Sequence, residues 1–253
     1  VATDFPSALF SGYYDQVIPW DFAAWPELVS KLEIYAITPF ATTLFLDADC
    51  LVVQSLQKVF AYFAGQDFAV FGRNEADAIW FCSVAAVQAV APSPTYPVFN
   101  GGLYYFTQSA QAAEIFQRAR QLFQAYDELQ LKRTRTNREN DEPLISLAMA
   151  QMGLKAMSEP GLDILHAPER PKYQIQIDVL AGEARFIRQG RLVQPVITHF
   201  VGVRDRLYVY HREALRLAVA EQGTHLPYYH DQIIQLVAYA RWLFTQVLPA
   251  YCT

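Results

Sequence analysis

Thiols are few and scattered in this chain. Its three cysteines, Cys50, Cys82 and Cys252, form no CxxC pair and are odd in number. That argues against a disulfide framework and a zinc-thiolate knuckle, and for a reducing, cytoplasmic setting. No N-x-S/T acceptor occurs, which agrees. Basic charge is also short, with Lys+Arg 20 against Asp+Glu 25 and a net charge of −5. Nucleic acid is therefore not the expected partner. Long apolar runs are missing too. The most apolar late stretch, Ile233 to Ala250, is broken by Gln235, Arg241 and Gln246, so no membrane span is expected. No signal peptide, internal repeat or low-complexity linker is expected from the residues present. The chain opens on Val1 rather than methionine, so it is expected to be part of something longer.

Apolar and aromatic residues are plentiful. Hydrophobic residues make up 53% and charged ones 18%, with 17 Phe and 15 Tyr, enough for a substantial core and against disorder. Strand-like and helix-like segments alternate, the pattern of an α/β protein. "DQVIPW" reads as a strand and "DFAAWPELVSKLEIYAITPF" as a helix between Pro26 and Pro39. "TLFL" is a strand, "SLQKVFAYFAG" a helix stopped at Gly65, and "DFAVFGR" a strand. A proline-rich loop leads to "VFNGGLYYF", read as one strand carrying a Gly pair, and then to the amphipathic helix "SAQAAEIFQRARQLFQAYDELQ". "KRTRTNREN" is a polar loop, either a solvated surface or a lid over an anionic ligand. "DEPLISLAMAQMG" is a helix with Asp141 as expected N-cap. "RLVQPVITHFVG" is a late strand, and two helices around "GTHLPYY" close the chain.

One stretch poses a chemical question. In "TTLFLDADCLVV" (42–53) two acids interrupt an apolar run read as strands buried on both faces. No basic residue lies between Ala41 and Gln57, and a buried carboxylate without a partner costs several kcal/mol. Residues two apart on a strand share a face, and the carboxyl end of a strand in an open α/β sheet opens on the ligand crevice. Asp47 and Asp49 there form a half-shell for a hard divalent cation shared with a phosphate. The alternative is a solvated strand end with one Asp capping a turn.

"KLEIYAITPFATTLFLDADCLVV" resembles the metal-binding stretch of glycogenin-like and bacterial lipopolysaccharide glycosyltransferases of GT-A fold. "FNGGLYYF", "NDEPLISLAMA" and "ITHFVG" are similar, in the same order, to that family's F-N-[ST]-G, D-Q-x-x-[IL]-N and H-[FY]-x-G segments. The resemblance spans residues 31 to 202. It implies a GT-A nucleotide-diphospho-sugar transferase domain over residues 1–207, a Rossmann-like mixed sheet flanked by helices, with 208–253 a helical extension packed on it. The implied activity is transfer of a hexose from a UDP-linked sugar to a hydroxyl acceptor (a glycan, lipid-linked sugar or small molecule), with retention of configuration. Asp47, Asp49 and His199 would hold Mn²⁺, with Mg²⁺ as the alternative. Lys31, Ala48, Gly202, Arg204 and Arg206 would contact the nucleotide diphosphate, and Asn100, Gly101, Gly102, Asp141 and Glu142 the donor sugar. No residue is assigned as nucleophile.

Three departures accompany the resemblance. The family's base-binding first strand and helix is not seen, so no base-contacting residue is named. Its phosphate lysine is Asp205 here, flanked by Arg204 and Arg206, which offer planar forks rather than a point charge. Its glutamine is Glu142, a carboxyl where the family has an amide. Two other readings remain: a nucleotide-sugar or carbohydrate-binding protein with a decayed site, and a haloacid-dehalogenase-type phosphatase with Asp47 as nucleophile. The second lacks a later acidic pair on a strand end, because Asp141 and Glu142 open a helix.

Overall fold

The computed structural model describes residues 2–3, 12, 14–21, 25–26, 28–76, 84–134, 136–168, 175–201, 207–221 and 236–240. The fold is mixed α/β, with short sheets and helices alternating along the chain. It divides into two compact units, each made of separate stretches: Val1–Phe45 with Gly65–Ser158, and Leu46–Ala64 with Glu159–Thr253.

The first unit begins with a parallel pair, β1 (Ala2–Thr3) and β2 (Ile18–Pro19). A 3₁₀ turn, Val29–Glu33, runs into α1 (Ile34–Ile37), and β3 (Thr42–Leu46) follows. Among the described residues the expected helix is a five-residue 3₁₀ stretch followed by one turn of α, with its C-cap at Thr38 before Pro39, as the residue ahead of a proline favours. After β3 the chain crosses to the second unit for β4 (Cys50–Val52) and α2 (Gln57–Phe63), which ends ahead of Gly65 at φ +82°.

Returning, it forms β5 (Phe68–Ala69), β6 (Gly72–Glu75), α3 (Val84–Val90), β7 (Tyr96–Phe99), β8 (Leu103–Thr107), α4 (Ala110–Gln124) and α5 (Asp141–Gln151). β8 lies between β3 and β5, and Leu103 to Phe106 are all buried, as befits a central strand. β6 and β7 form a separate antiparallel pair. "VFNGGLYYF" is therefore two strands of two sheets, broken at Gly101–Gly102, rather than one.

α4 starts at Ser109, whose hydroxyl accepts from Ala112 N at 3.2 Å, and buries Ala112, Ile115, Phe116, Ala119 and Leu122. α5 has no polar stripe: Pro143 to Ala150 are all buried, the mark of a helix enclosed by core. It packs on α4 and β7. Phe116 meets Phe68 and Phe106 edge-on at 5.6 and 5.2 Å between ring centroids.

The second unit continues with β9 (Leu165–His166), β10 (Gln176–Asp178), β11 (Glu183–Arg188), β12 (Arg191–Val193), β13 (Ile197–His199) and α6 (Leu207–Glu221). The expected late strand is thus also two, β12 and β13. β13 lies between β4, antiparallel, and β9, parallel. β10, β11 and β12 form an antiparallel meander. Of the two C-terminal helices expected, α6 is present and residues 236–240 are helical; "GTHLPYY" lies outside the described residues.

Strand burial departs from expectation. Thr43 to Leu46 are only half-buried, and in β4 only Leu51 is buried. The carboxylates at 47 and 49 thus stand beside a partly wetted edge, which lowers their desolvation cost.

Candidate functional sites

Asp47 and Asp49 do not sit on a strand. Cys50 N donates to Asp47 O at 2.9 Å, closing a turn that joins β3 to β4. Turn geometry, rather than strand alternation, therefore aims the two acids. Beyond the turn, β4 runs antiparallel to β13 with Cys50 opposite His199, and Phe200 N donates to Asp49 O at 3.0 Å. Strand pairing thereby brings His199 Nε2 to 2.9 Å from Asp49 Oδ1 and 3.5 Å from Asp47 Oδ2. The imidazole is 6% exposed, against 18% for Asp47 and 40% for Asp49. Ala48 is exposed, and its carbonyl accepts from Tyr210 of α6 at 3.1 Å.

Two carboxylates and one imidazole, the expected ligands, are donor types that would suit Mn²⁺ better than Mg²⁺, because manganese accepts nitrogen more readily. The His199 nitrogen lies within 3.5 Å of an oxygen of each acid, while the group whose ligand atoms all lie within 4.8 Å of one another is Asp49, Cys50 and His199, without Asp47. Held there, a divalent ion would be a Lewis acid toward an anionic oxygen. Sequence reasoning missed Cys50. Asp49, Cys50 and His199 each offer a ligand atom, and these lie within 4.8 Å of one another. No CxxC spacing signals such a set, because β4 and β13 meet only through the fold.

The residues expected at the donor sugar gather within the first unit. The chain turns between β7 and β8, with Gly102 N donating to Asn100 Oδ1 at 2.9 Å. Gly101 N donates to Glu142 Oε1 at 2.7 Å, and Lys31 Nζ donates to Gly101 O at 3.1 Å. A Cβ on Gly101 would lie 2.9 Å from Asp141 Oδ2 and 3.0 Å from both Glu142 Cγ and the Tyr104 hydroxyl, so glycine is needed for space. Asp141, 1% exposed, accepts from the Tyr104 hydroxyl and lies 3.9 Å from Lys31 Nζ. Lys31 stands over the Phe45 ring at 5.8 Å. It thus neutralises an acid of its own unit, a role that the expectation of a phosphate contact did not include.

The expected N-cap is corrected by one residue. Asn140, in extended backbone, accepts from Glu142 N at 3.4 Å, while Asp141 is the first helical residue and turns its carboxyl inward. Both Asn and Asp favour the cap, and the buried Tyr104 hydroxyl draws Asp141 away. Glu142 is half-buried; burial, then the neighbouring Asp141 charge, pushes its pKa up to about 7. Up to that pH it presents an acceptor oxygen and a hydroxyl donor, much as a glutamine presents oxygen and amide. Tyr104 and Asn140 were also missed; an apolar strand carrying a hydroxyl and an Asn–Asp helix start were their only signals.

The polar loop is tied down. Arg133 pairs with Asp127 at 3.0 Å and with Glu139, and lies 5.6 Å over the Tyr126 ring, whose hydroxyl accepts from Asn140 N at 3.0 Å. That favours the surface reading over a lid. Gly202, Arg204 and Arg206, with Asp205, lie outside the described residues. Among the described residues no helix is long and apolar enough to cross a membrane.

No family model matches the chain, and no curated protein matches it. Among solved structures it is similar to the galactosyltransferase LgtC, crystallised in complex with donor and acceptor sugar analogs. The identity is 13% and the TM-score 0.43, over 76% of this chain and 63% of that one. The chain thus spans less than two-thirds of that neighbour's length.

Proposed function

We propose that this chain is a metal-dependent glycosyltransferase of GT-A fold, moving a hexose from a UDP-linked sugar to a hydroxyl acceptor with retention of configuration. The observation that carries the reading is His199 Nε2 at 2.9 Å from Asp49 Oδ1 and 3.5 Å from Asp47 Oδ2. It supports a set of three ligands where the motif resemblance expects one. Asp47, Asp49 and His199 would hold Mn²⁺, which would offset the charge developing on the departing diphosphate. Ala48, Gly202, Arg204 and Arg206 are the proposed diphosphate contacts. Asn100, Gly101, Gly102, Asp141 and Glu142 are the proposed donor-sugar positions, with Lys31 orienting Asp141 and Gly101. A proton-retaining Glu142 reconciles the carboxyl here with the family's amide at pH values below about 7.

A second reading, nucleotide-sugar binding without turnover, draws on a different observation. Glu142 Oε1 and Asp141 Oδ2 each accept a hydrogen bond from within the protein, as expected of groups with a structural role.

The test is thermal unfolding with UDP, GDP, CDP and ADP, each with and without Mn²⁺. A ligand at a hundred times its Kd adds about 2.7 kcal/mol, which for this size raises Tm by roughly 5–10 °C. The expected result is a shift with UDP that requires Mn²⁺ and disappears in Asp49→Ala. No Mn²⁺-dependent shift with any nucleotide would sink the reading. UDP-sugar hydrolysis or transfer then separates the enzyme from the binding protein.

A further inference from the structure

We propose that Asp49, Cys50 and His199 form a thiolate-bearing Zn²⁺ site, so that zinc competes with the metal of the proposed transferase. The coordination stands on its own geometry; only the competition rests on the glycosyltransferase reading. Cys50 and His199 are directly opposed in the β4–β13 pair, and opposed residues of an antiparallel pair project from the same face. Asp49 joins them from the turn, with Oδ1 at 2.9 Å from His199 Nε2. All three ligand atoms lie within 4.8 Å of one another. Tetrahedral zinc with ordinary Zn–S and Zn–N bonds sets sulfur and nitrogen about 3.5 Å apart. Coordination therefore requires ligand atoms now within 4.8 Å of one another to close to that spacing, with Asp49 and Cys50, neither fully buried, the side chains to move.

The donor types decide which ion prefers this corner. A set of oxygens and one imidazole suits manganese, whereas a thiolate favours zinc, which already binds N, O and S ligands more tightly than manganese does. Three protein ligands with Asp49 40% exposed leave a fourth position open to water. On binding, the Cys50 thiol gives its proton to solvent and its sulfur lone pair to the ion. One proton is therefore released that Cys50→Ser cannot release. The two metals share Asp49 and His199, so they cannot be held together.

Cobalt(II) is the probe, since a Co–S bond gives a near-ultraviolet charge-transfer band that oxygen and nitrogen ligands do not. The band is expected in the whole chain and in a Cys82→Ser/Cys252→Ser variant, to bleach when Zn²⁺ is added, and to be absent in Cys50→Ser. Zn²⁺ affinity, from competition with a chromogenic chelator, is expected to fall at least ~10-fold in Cys50→Ser. Zinc uptake should release about one proton fewer in that variant. Absence of the band in the wild type, or its persistence in Cys50→Ser, overturns the proposal. Mn²⁺-dependent UDP stabilisation, measured on the same samples, keeps the two readings apart. If it is present without the cobalt band, the zinc site alone fails; if the band is present without it, zinc coordination stands and the transferase reading fails.

Discussion

The two acidic clusters of this molecule handle charge in opposite ways. In the first unit Asp141 is 1% exposed and receives the Tyr104 hydroxyl, with the Lys31 ammonium 3.9 Å away. Glu142 receives the Gly101 amide and holds its proton to about 7. That cluster is largely balanced from within. In the second unit Asp47 and Asp49 stand in a turn at a half-wetted edge, and a histidine lies beside both, a ligand as readily as a counter-ion. Among the described residues one pair of acids thus has a lysine beside it and the other a histidine, the arrangement expected if the first positions and the second binds a cation.

Four substitutions or conditions test that contrast, in order of expected effect. Asp49→Ala should lower transferase turnover by about 10³-fold, because a Lewis acid contributes several kcal/mol to the transition state. Metal-free stability should fall by about 1 kcal/mol, the cost of removing one partner of the buried His199 imidazole; a much larger loss of metal-free Tm would mean that Asp49 serves mainly to hold the fold.

The pH dependence comes next. Glu142 keeps its proton in the folded chain up to about 7, whereas an unfolded glutamate releases it near 4.5. Unfolding therefore releases a proton between those values, and stability falls as pH rises through that window. The loss should total about 3 kcal/mol and level off above 7. Denaturant titrations from pH 4.5 to 8 should show this slope in the wild type and not in Glu142→Gln.

Gly101→Ala places a methyl group against Asp141, Glu142 and Tyr104, at a cost of about 2 kcal/mol. Tm should drop by roughly 4–8 °C; an unchanged Tm would mean the internally balanced cluster is loose. The smallest effect is expected at Thr198, fully buried beside His199, whose hydroxyl has no hydrogen-bond partner among the described residues. Thr198→Val removes that unmet group without changing shape, so stability by denaturant melt should rise by up to ~1 kcal/mol.

Local signals were legible in the sequence where one element explained them. The Gly65 stop, the Ser109-led helix and the apolar α5 could all be read from neighbouring residues. What failed required distant partners. The Asn140 cap lost its reading to Asp141 because Tyr104, far off in sequence, decides which of two good caps turns inward. "VFNGGLYYF" looked continuous because its flanks are uniformly apolar, yet they serve different sheets. Cys50 had no motif of its own; its chemistry comes from standing opposite His199. His199 itself is singled out only by family resemblance, since a lone histidine in an apolar strand has no distinguishing pattern.

The pairing of β4 with β13 also has a kinetic side. Cys50 and His199 are opposed across a strand pair whose members lie roughly 150 residues apart in sequence. Closing such a loop delays formation of the contact, since chain entropy is lost before the pairing returns anything. During synthesis Asp47, Asp49 and Cys50 emerge first, and the imidazole only roughly 150 residues later. Ion binding at the proposed site, which needs Asp49, Cys50 and His199 together, would therefore report late folding: a refolding chain should gain its cobalt spectrum after most of its helical signal has returned.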